Sequence, residues 1–282
     1  MRQAFVATTL FCFFYGLQLV YQQIFVRGTI EPLHLNFLSY LLISIVLTIY
    51  YLFFNRRTFL LKPNTKALPF FLIALFGWVI ADFSAVYGLK FSSSANYSML
   101  SRLMIFVVFT LSVVFLKEKI TKKKLFAIAI SFVGGFLVIY HFGSQIKINA
   151  GDIFFLITVL TLSASSVARQ KVTKHISSFQ LTYLLFVYAT VILGTATFIF
   201  MPIQSILSYQ FIIFNSIVAL VGFSLVNYAI QKGGAVFFTL VSTLLPVFTI
   251  LFSFLILKQL PIATQLIGGT LIIVSIFIFL KK

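Results

Sequence analysis

Acidic side chains are nearly absent from this sequence: four Asp and Glu in 282 residues, scattered as Glu31, Asp82, Glu118 and Asp152. So sparse a set excludes the carboxylate clusters of metal- or phosphate-handling enzymes. Cysteine occurs once, as Cys12 inside an apolar run, so neither an internal disulfide framework nor a cysteine-based metal site can form. The three histidines, His34, His141 and His175, fall near the ends of apolar runs without a ligand spacing. No Gly-rich loop followed by Lys-Ser or Lys-Thr is present, which removes the usual site for ATP hydrolysis. Charged residues of all kinds make up only 9 % of the chain, against about 25 % in a soluble domain.

What fills the sequence is hydrocarbon. Hydrophobic residues reach 61 % and aromatics 18 %, with 37 Phe against one Trp. A soluble domain of this size buries only about three quarters of the surface its unfolded chain exposes, so the remainder would form one continuous apolar patch. The solvent must be lipid. The phenylalanine excess is read as lipid contact and core packing.

A helix needs about 20 apolar residues to cross the hydrocarbon core, and unpaired backbone is not tolerated there. Ten runs qualify, at about 4–24, 35–54, 68–89, 93–116, 124–142, 152–170, 179–200, 210–230, 235–257 and 262–280. The first has a signal-like apolar core but no small-residue cleavage site, so it is read as a retained span. The connecting segments are too short to hold a soluble domain, so any chemistry belongs to the helical bundle.

The net charge of +17 would suit nucleic acid, but the placement of the basic residues points elsewhere. With the N-terminus cytoplasmic, sixteen fall on the cytoplasmic side: Arg2, Arg56, Arg57, Lys62, Lys66, Lys117, Lys119, Lys122 to Lys124, Arg169, Lys171, Lys174, Lys232, Lys281 and Lys282. The other side holds four, Arg27, Lys90, Lys147 and Lys258, and Arg102 lies within a span. By the positive-inside rule both termini are cytoplasmic in a plasma (inner) membrane.

At an offset of 141 residues the fourth and fifth runs align with the ninth and tenth: Ser101 meets Ser242, Ser112 meets Ser253, Leu116-Lys117 meets Leu257-Lys258, and further back Tyr87 meets Tyr228. Five spans per half bring the second half into the membrane from the opposite side. Inverted repeats of this kind are found in many secondary transporters, with the substrate site between the repeats near the midplane. The fold expected is therefore an all-α membrane protein of ten transmembrane helices, with one five-helix repeat over 1–146 and another over 147–282.

The sequence here resembles the drug/metabolite transporter superfamily, in its ten-helix branch built of two EamA-type domains. Each half there ends with a Pro-containing helix, a Glu, a short turn with Thr and a helix with spaced glycines. The second half of this chain keeps Pro246, Gln265, Gly268 and Ser275 but has Gln259 where Glu is usual. The first half has Glu118, Thr121 and Gly134, with Ile105 where Pro is usual and Ala127 in place of Gly. The departures mark a divergent member. The resemblance implies an exporter or exchanger of metabolites, amino acids, nucleotide sugars or toxic compounds.

An ionisable group within a span costs about 2.5 kcal/mol or more at the helix centre and is a functional candidate. Asp82 and Arg102 lie at similar depth on adjacent spans. They form either a structural ion pair or a site in which Asp82 takes a proton or cationic group and Arg102 an anionic one. Trp78 is four residues before Asp82, hence on its face, as a pocket wall or a packing residue. Tyr15, Gln18 and Gln22 form a polar stripe on the first span that lipid would reject; it is either a pocket wall or an interhelical seam. In the second half the milder candidates are Asn227 and Ser242, together with Ser163, Ser165, Ser166, Tyr228 and Thr243, any of which serves close packing equally well. Pro246 breaks its helix's hydrogen-bond ladder. Glu118 among lysines is a solvated carboxylate or a conformational latch.

The substrate-binding set is thus Tyr15, Gln18, Trp78, Asp82, Arg102, Asn227 and Ser242. No metal, cofactor or catalytic residue is expected. The partners are a small-molecule substrate and the lipid bilayer, with no nucleic acid and with a homodimer left open. Two alternatives are a binding or scaffold protein without transport and an intramembrane enzyme on a lipid substrate; the scarcity of carboxylates speaks against the second.

Overall fold

In the computed structural model the residues described are 1–25, 32–54, 65–91, 97, 100–118, 121–139, 150–200, 209–258, 260 and 262–280. Regular structure among them is entirely helical. We number the α-helices α1 (Arg2–Phe25), α2 (Pro32–Phe54), α3 (Leu68–Phe91), α4 (Met104–Leu116), α5 (Lys122–Ile139), α6 (Gly151–Val172), α7 (Ser178–Phe200), α8 (Tyr209–Gly233), α9 (Ala235–Val241), α10 (Leu245–Leu257) and α11 (Ala263–Leu280). Single 3-10 turns, Ser101–Leu103 and Ser242–Leu244, precede α4 and α10.

Among the described residues, seven helices are long and apolar enough to cross a membrane: Asn36–Phe54, Leu68–Ala85, Gly151–Val172, Ser178–Ile199, Ile212–Gly233, Ala235–Ile256 and Ala263–Leu280. Ser101–Leu116 is a shorter apolar helix. This measure covers the described residues alone, and the runs at 93–116 and 124–142 extend beyond them, so it does not decide the count of ten spans. Residues 93–96 and 98–99 of the fourth run, with Arg27, Glu31, Arg56, Arg57, Lys62, Lys119, His141, Lys147, Gln259, Lys281 and Lys282, lie outside the described residues.

The offset of 141 is visible in the backbone. Residues 101–103 and 242–244 form the matching turns, and α4 and α10, then α5 and α11, share their limits at that spacing. Lys117 and Lys258 end α4 and α10 in the left-handed region, at φ 55° and 58°. Each donates its backbone N–H to the carbonyl five residues earlier, Ser112 and Ser253. A left-handed residue closes a helix by satisfying one of its orphan carbonyls. Pro246 sits in the first turn of α10, where its missing N–H costs nothing. The first half makes the same interruption with Ile105, so the 3-10 turn does not depend on proline.

Packing between the halves follows a two-fold pattern. α3 lies along α6, and their repeat equivalents α8 and α1 lie together in the same way; α5 packs on α11 and α2 on α7. Such reciprocal pairing is the mark of an isologous arrangement. The α5–α11 crossing is close because Gly134 and Gly268 face each other. A Cβ on Gly134 would sit 2.8 Å from the Gly268 carbonyl oxygen, and one on Gly268 2.5 Å from that of Gly134. Small residues let membrane helices approach backbone to backbone.

The largest buried cluster joins α2, α3, α6, α7 and α8, with Tyr40, Tyr51, Phe71, Trp78 and Phe186 almost wholly enclosed. Leu52, Phe53 and Phe54 on α2, or Phe198 and Ile199 on α7, face outward, as expected of a surface that meets hydrocarbon.

Candidate functional site: a buried aromatic and charged cluster between the halves

The cluster begins with α2 and α3. Tyr40 donates its hydroxyl to Asp82 Oδ2 at 2.8 Å. Trp78, one helical turn before Asp82, packs on the Tyr40 ring with centroids 5.0 Å apart. From the other half, Phe186 of α7 stands edge-on to both Tyr40 and Trp78, at 5.1 and 5.4 Å. Phe223 of α8 packs on Trp78 at 4.5 Å.

Arg169 of α6 is the charge enclosed by these rings. Its guanidinium carbon lies 5.6 Å from the Trp78 centroid and 5.4 Å from that of Phe223. Only 2 % of the residue is exposed, and its Nε and Nη2 have no hydrogen-bond partner. Asp82 is held by Tyr40, and no ion pair joins it to Arg169. Each aromatic face contributes about 2 kcal/mol to holding a desolvated cation, without satisfying the N–H groups in the guanidinium plane.

Arg102 has a different setting. Its side chain runs over Gly135, where a Cβ would come within 2.9 Å of Arg102 Cδ. Its Nε is buried without a partner. The ion pair with Asp82, one of the two readings of the sequence, does not form. Similar depth on adjacent spans leaves the direction around each helix axis undetermined, and Asp82 turns to Tyr40 while Arg102 turns to α5.

Tyr15 stacks on Phe11 at 5.4 Å and remains 37 % exposed. Trp78 and Asp82 are thus brought into one cluster with Tyr40 and Arg169, while Arg102 and Tyr15 make their contacts elsewhere, with Gly135 and Phe11.

Gln18 and Asn227 are engaged elsewhere. The Gln18 amide donates to Asn215 Oδ1, and Asn215 Nδ2 donates to Ser39 Oγ at 2.9 Å, a seam joining α1, α8 and α2. Of the two readings of the Tyr15–Gln18 stripe, Gln18 takes the interhelical seam; the side chain of Gln22 lies outside the described residues. Asn227 Nδ2 donates to Thr182 Oγ1 at 2.9 Å, joining α8 to α7. Ser242 turns back on its own helix, donating to the Thr239 carbonyl at 2.8 Å. Its carbonyl lies 3.7 Å from Cys12 Sγ.

Tyr40, Arg169, Phe186 and Phe223 carry no signal in the sequence that singles them out. In the sequence Arg169 reads with Lys171 and Lys174 as loop charge, since it falls at the edge of an apolar run. What sets it apart is its step back from the helix end: α6 continues to Val172, so Arg169 lies a turn inside.

On the side carrying Glu118 a second polar set joins the halves. Gln170 Nε2 donates to Glu118 Oε1 at 3.3 Å, and Gln170 Oε1 accepts from the Ala235 backbone N–H at 2.6 Å. The preceding residue, Gly234, has φ +88°, and a Cβ there would meet the Gln170 amide at 3.2 Å. Gln231 Nε2 adds a bond to the Thr173 carbonyl at 3.1 Å.

The model of the EamA-like transporter family matches residues 3–140 and again 149–281. A solved structure titled only "Crystal structure of protein" superposes with a TM-score of 0.82, covering 99 % of this chain and 97 % of that one at 13 % identity, which is a likeness of fold. No curated protein matches the sequence.

Proposed function

We propose that this chain, which belongs to the EamA-like transporter family, is a secondary transporter that exports or exchanges a small organic metabolite by alternating access. Ten spans in two inverted five-helix halves, 1–146 and 147–282, rock about a cavity near the midplane, with both termini in the cytoplasm of a plasma-membrane protein. The two-fold pairing of α3 with α6 and of α8 with α1 supports the inversion.

The observation that carries the reading is the composition of the central cluster. Tyr40, Trp78 and Asp82 come from the first half, while Arg169, Phe186 and Phe223 come from the second. A site built from both halves is remade whenever they move against each other, which is what alternating access requires. Buried charges at such a seam are costly as mere cement.

Asp82, relieved from Tyr40, takes a proton or a polar group of the solute, and Trp78, Tyr15 and Arg102 line the space around it. Gln18, Asn227 and Ser242 keep the surrounding helices in register through their protein partners. Glu118 and Gln170 act as the cytoplasmic closure, tying α4 and α6 to the start of α9. Export is favoured over uptake by likeness to the family alone.

The test is transport by purified protein in sealed proteoliposomes, with a metabolite mixture inside and efflux followed by mass spectrometry. Asp82→Asn reduces efflux, or its dependence on a pH gradient, in protein that still inserts. Efflux and pH response equal to wild type in that variant would remove Asp82 from the mechanism.

A further inference from the structure

The Arg169 guanidinium is enclosed by aromatic faces yet is short of acceptors. Trp78 and Phe223 lie 5.6 and 5.4 Å from its central carbon, and the residue is 2 % exposed. Nε and Nη2 remain without hydrogen-bond partners. A buried donor left unsatisfied is destabilising, more so when it carries charge. The nearby carboxylate of Asp82 does not answer it, because its Oδ2 accepts from Tyr40 instead.

The geometry defines what is missing. Aromatic contact leaves the planar fork of N–H groups to be met in its own plane, and a fork of this kind matches the two oxygens of an oxyanion bidentately. Trp78 and Phe223 face the guanidinium, and Phe186 packs on both of those rings, surfaces suited to an apolar or aromatic body.

We infer that Arg169 is the oxyanion-recognition point of the central site: it pairs in plane with a carboxylate or phosphate on the solute, whose apolar body lies against Trp78, Phe186 and Phe223. The inference rests on the transporter reading, since the fork is closed off in this conformation and opens when the halves move. It also narrows that reading, because cations and neutral solutes leave the Arg169 donors unmet.

Trp78 is the single tryptophan of the chain, so its fluorescence reports on the Arg169 environment without a label. The intact protein in nanodiscs is titrated with benzoate, phenyl phosphate and the neutral analogue benzyl alcohol, with sodium chloride as the ionic-strength control. The expected result is a saturable change with benzoate or phenyl phosphate, and an apparent affinity at least tenfold weaker for benzyl alcohol. The more effective anion identifies carboxylate or phosphate. Arg169→Gln abolishes the response, and Arg169→Lys, which keeps the charge but not the fork, retains a weaker one; elution volume and thermal midpoint confirm that both variants are folded.

Equal affinity for alcohol and anion, an unchanged response in Arg169→Gln, or no saturable response to either anion would overturn the assignment. Efflux of the same probes from proteoliposomes separates the two claims. Arg169-dependent binding without transport sinks the transporter reading and leaves the subsite standing. Transport of anion and alcohol alike, indifferent to Arg169→Gln, does the reverse.

Discussion

Tyr40 and Asp82, 42 residues apart on α2 and α3, are joined by a 2.8 Å hydrogen bond from the phenol to the carboxylate. Tyr40 is 5 % exposed, so this bond fixes the position of the half-buried carboxylate of the first half.

Removing that donor tests the partnership. A hydrogen bond to a charged group is worth about 1.5–3 kcal/mol, so Tyr40→Phe lowers stability by an amount in that range and impairs transport. Because the two side chains act as one unit, Tyr40→Phe combined with Asp82→Asn falls well short of the sum of the single effects. Thermal unfolding and efflux of the three variants, measured in parallel, check this.

The α5–α11 crossing depends on two missing side chains. Gly134→Ala or Gly268→Ala drives a methyl into a facing carbonyl oxygen, and overpacking of this kind costs about 1–3 kcal/mol. Gly269→Ala is the control, since its nearest obstacle is Val247 Cγ2 at 3.6 Å. Thermal midpoints should fall for the first two and hold for the third.

The repeat makes a paired prediction. Lys117 and Lys258 both hold positive φ, a region that costs an L-residue about 1 kcal/mol or more and glycine little. Lys117→Gly and Lys258→Gly should each raise stability, by about 0.5–1 kcal/mol and by similar amounts, read as a shift in unfolding midpoint. A gain in one half alone would mean that the two caps are not equivalent.

The closure on the Glu118 side hangs on Gln170, which meets both Glu118 and the Ala235 N–H. Gln170→Leu removes both bonds at little change in bulk and should shift the balance toward the cytoplasm-open form. Faster alkylation of a cysteine placed at Thr173, relative to the same cysteine beside native Gln170, is the readout.

The helices were legible because apolar runs of this length have one solution in lipid, and the repeat was legible because serines and the Leu-Lys step recur at a fixed spacing. The site was legible only in part. Asp82 and Trp78 stood out as a lone carboxylate and a lone tryptophan one turn apart, and the structure places both in the central cluster. Arg169 did not, since a basic residue near the edge of a run reads as loop charge, and its aromatic partners are remote in sequence. Tyr40 was one of 12 tyrosines, with nothing local to single it out. Whether Gln18 faced a cavity or Asn215 could not follow from helical spacing, which gives the face but not the neighbour.

The most direct test of a solute path between the halves is counterflow in proteoliposomes. Vesicles loaded with a metabolite extract are exposed to trace isotopically labelled extract, and the internal label is identified by mass spectrometry. A secondary transporter accumulates one class of labelled solute transiently in wild-type vesicles, with the signal reduced in Asp82→Asn and in Arg169→Gln. Label that enters protein-free vesicles equally, or is unaffected by both substitutions, would contradict a transport pathway through the Tyr40–Asp82–Arg169 cluster.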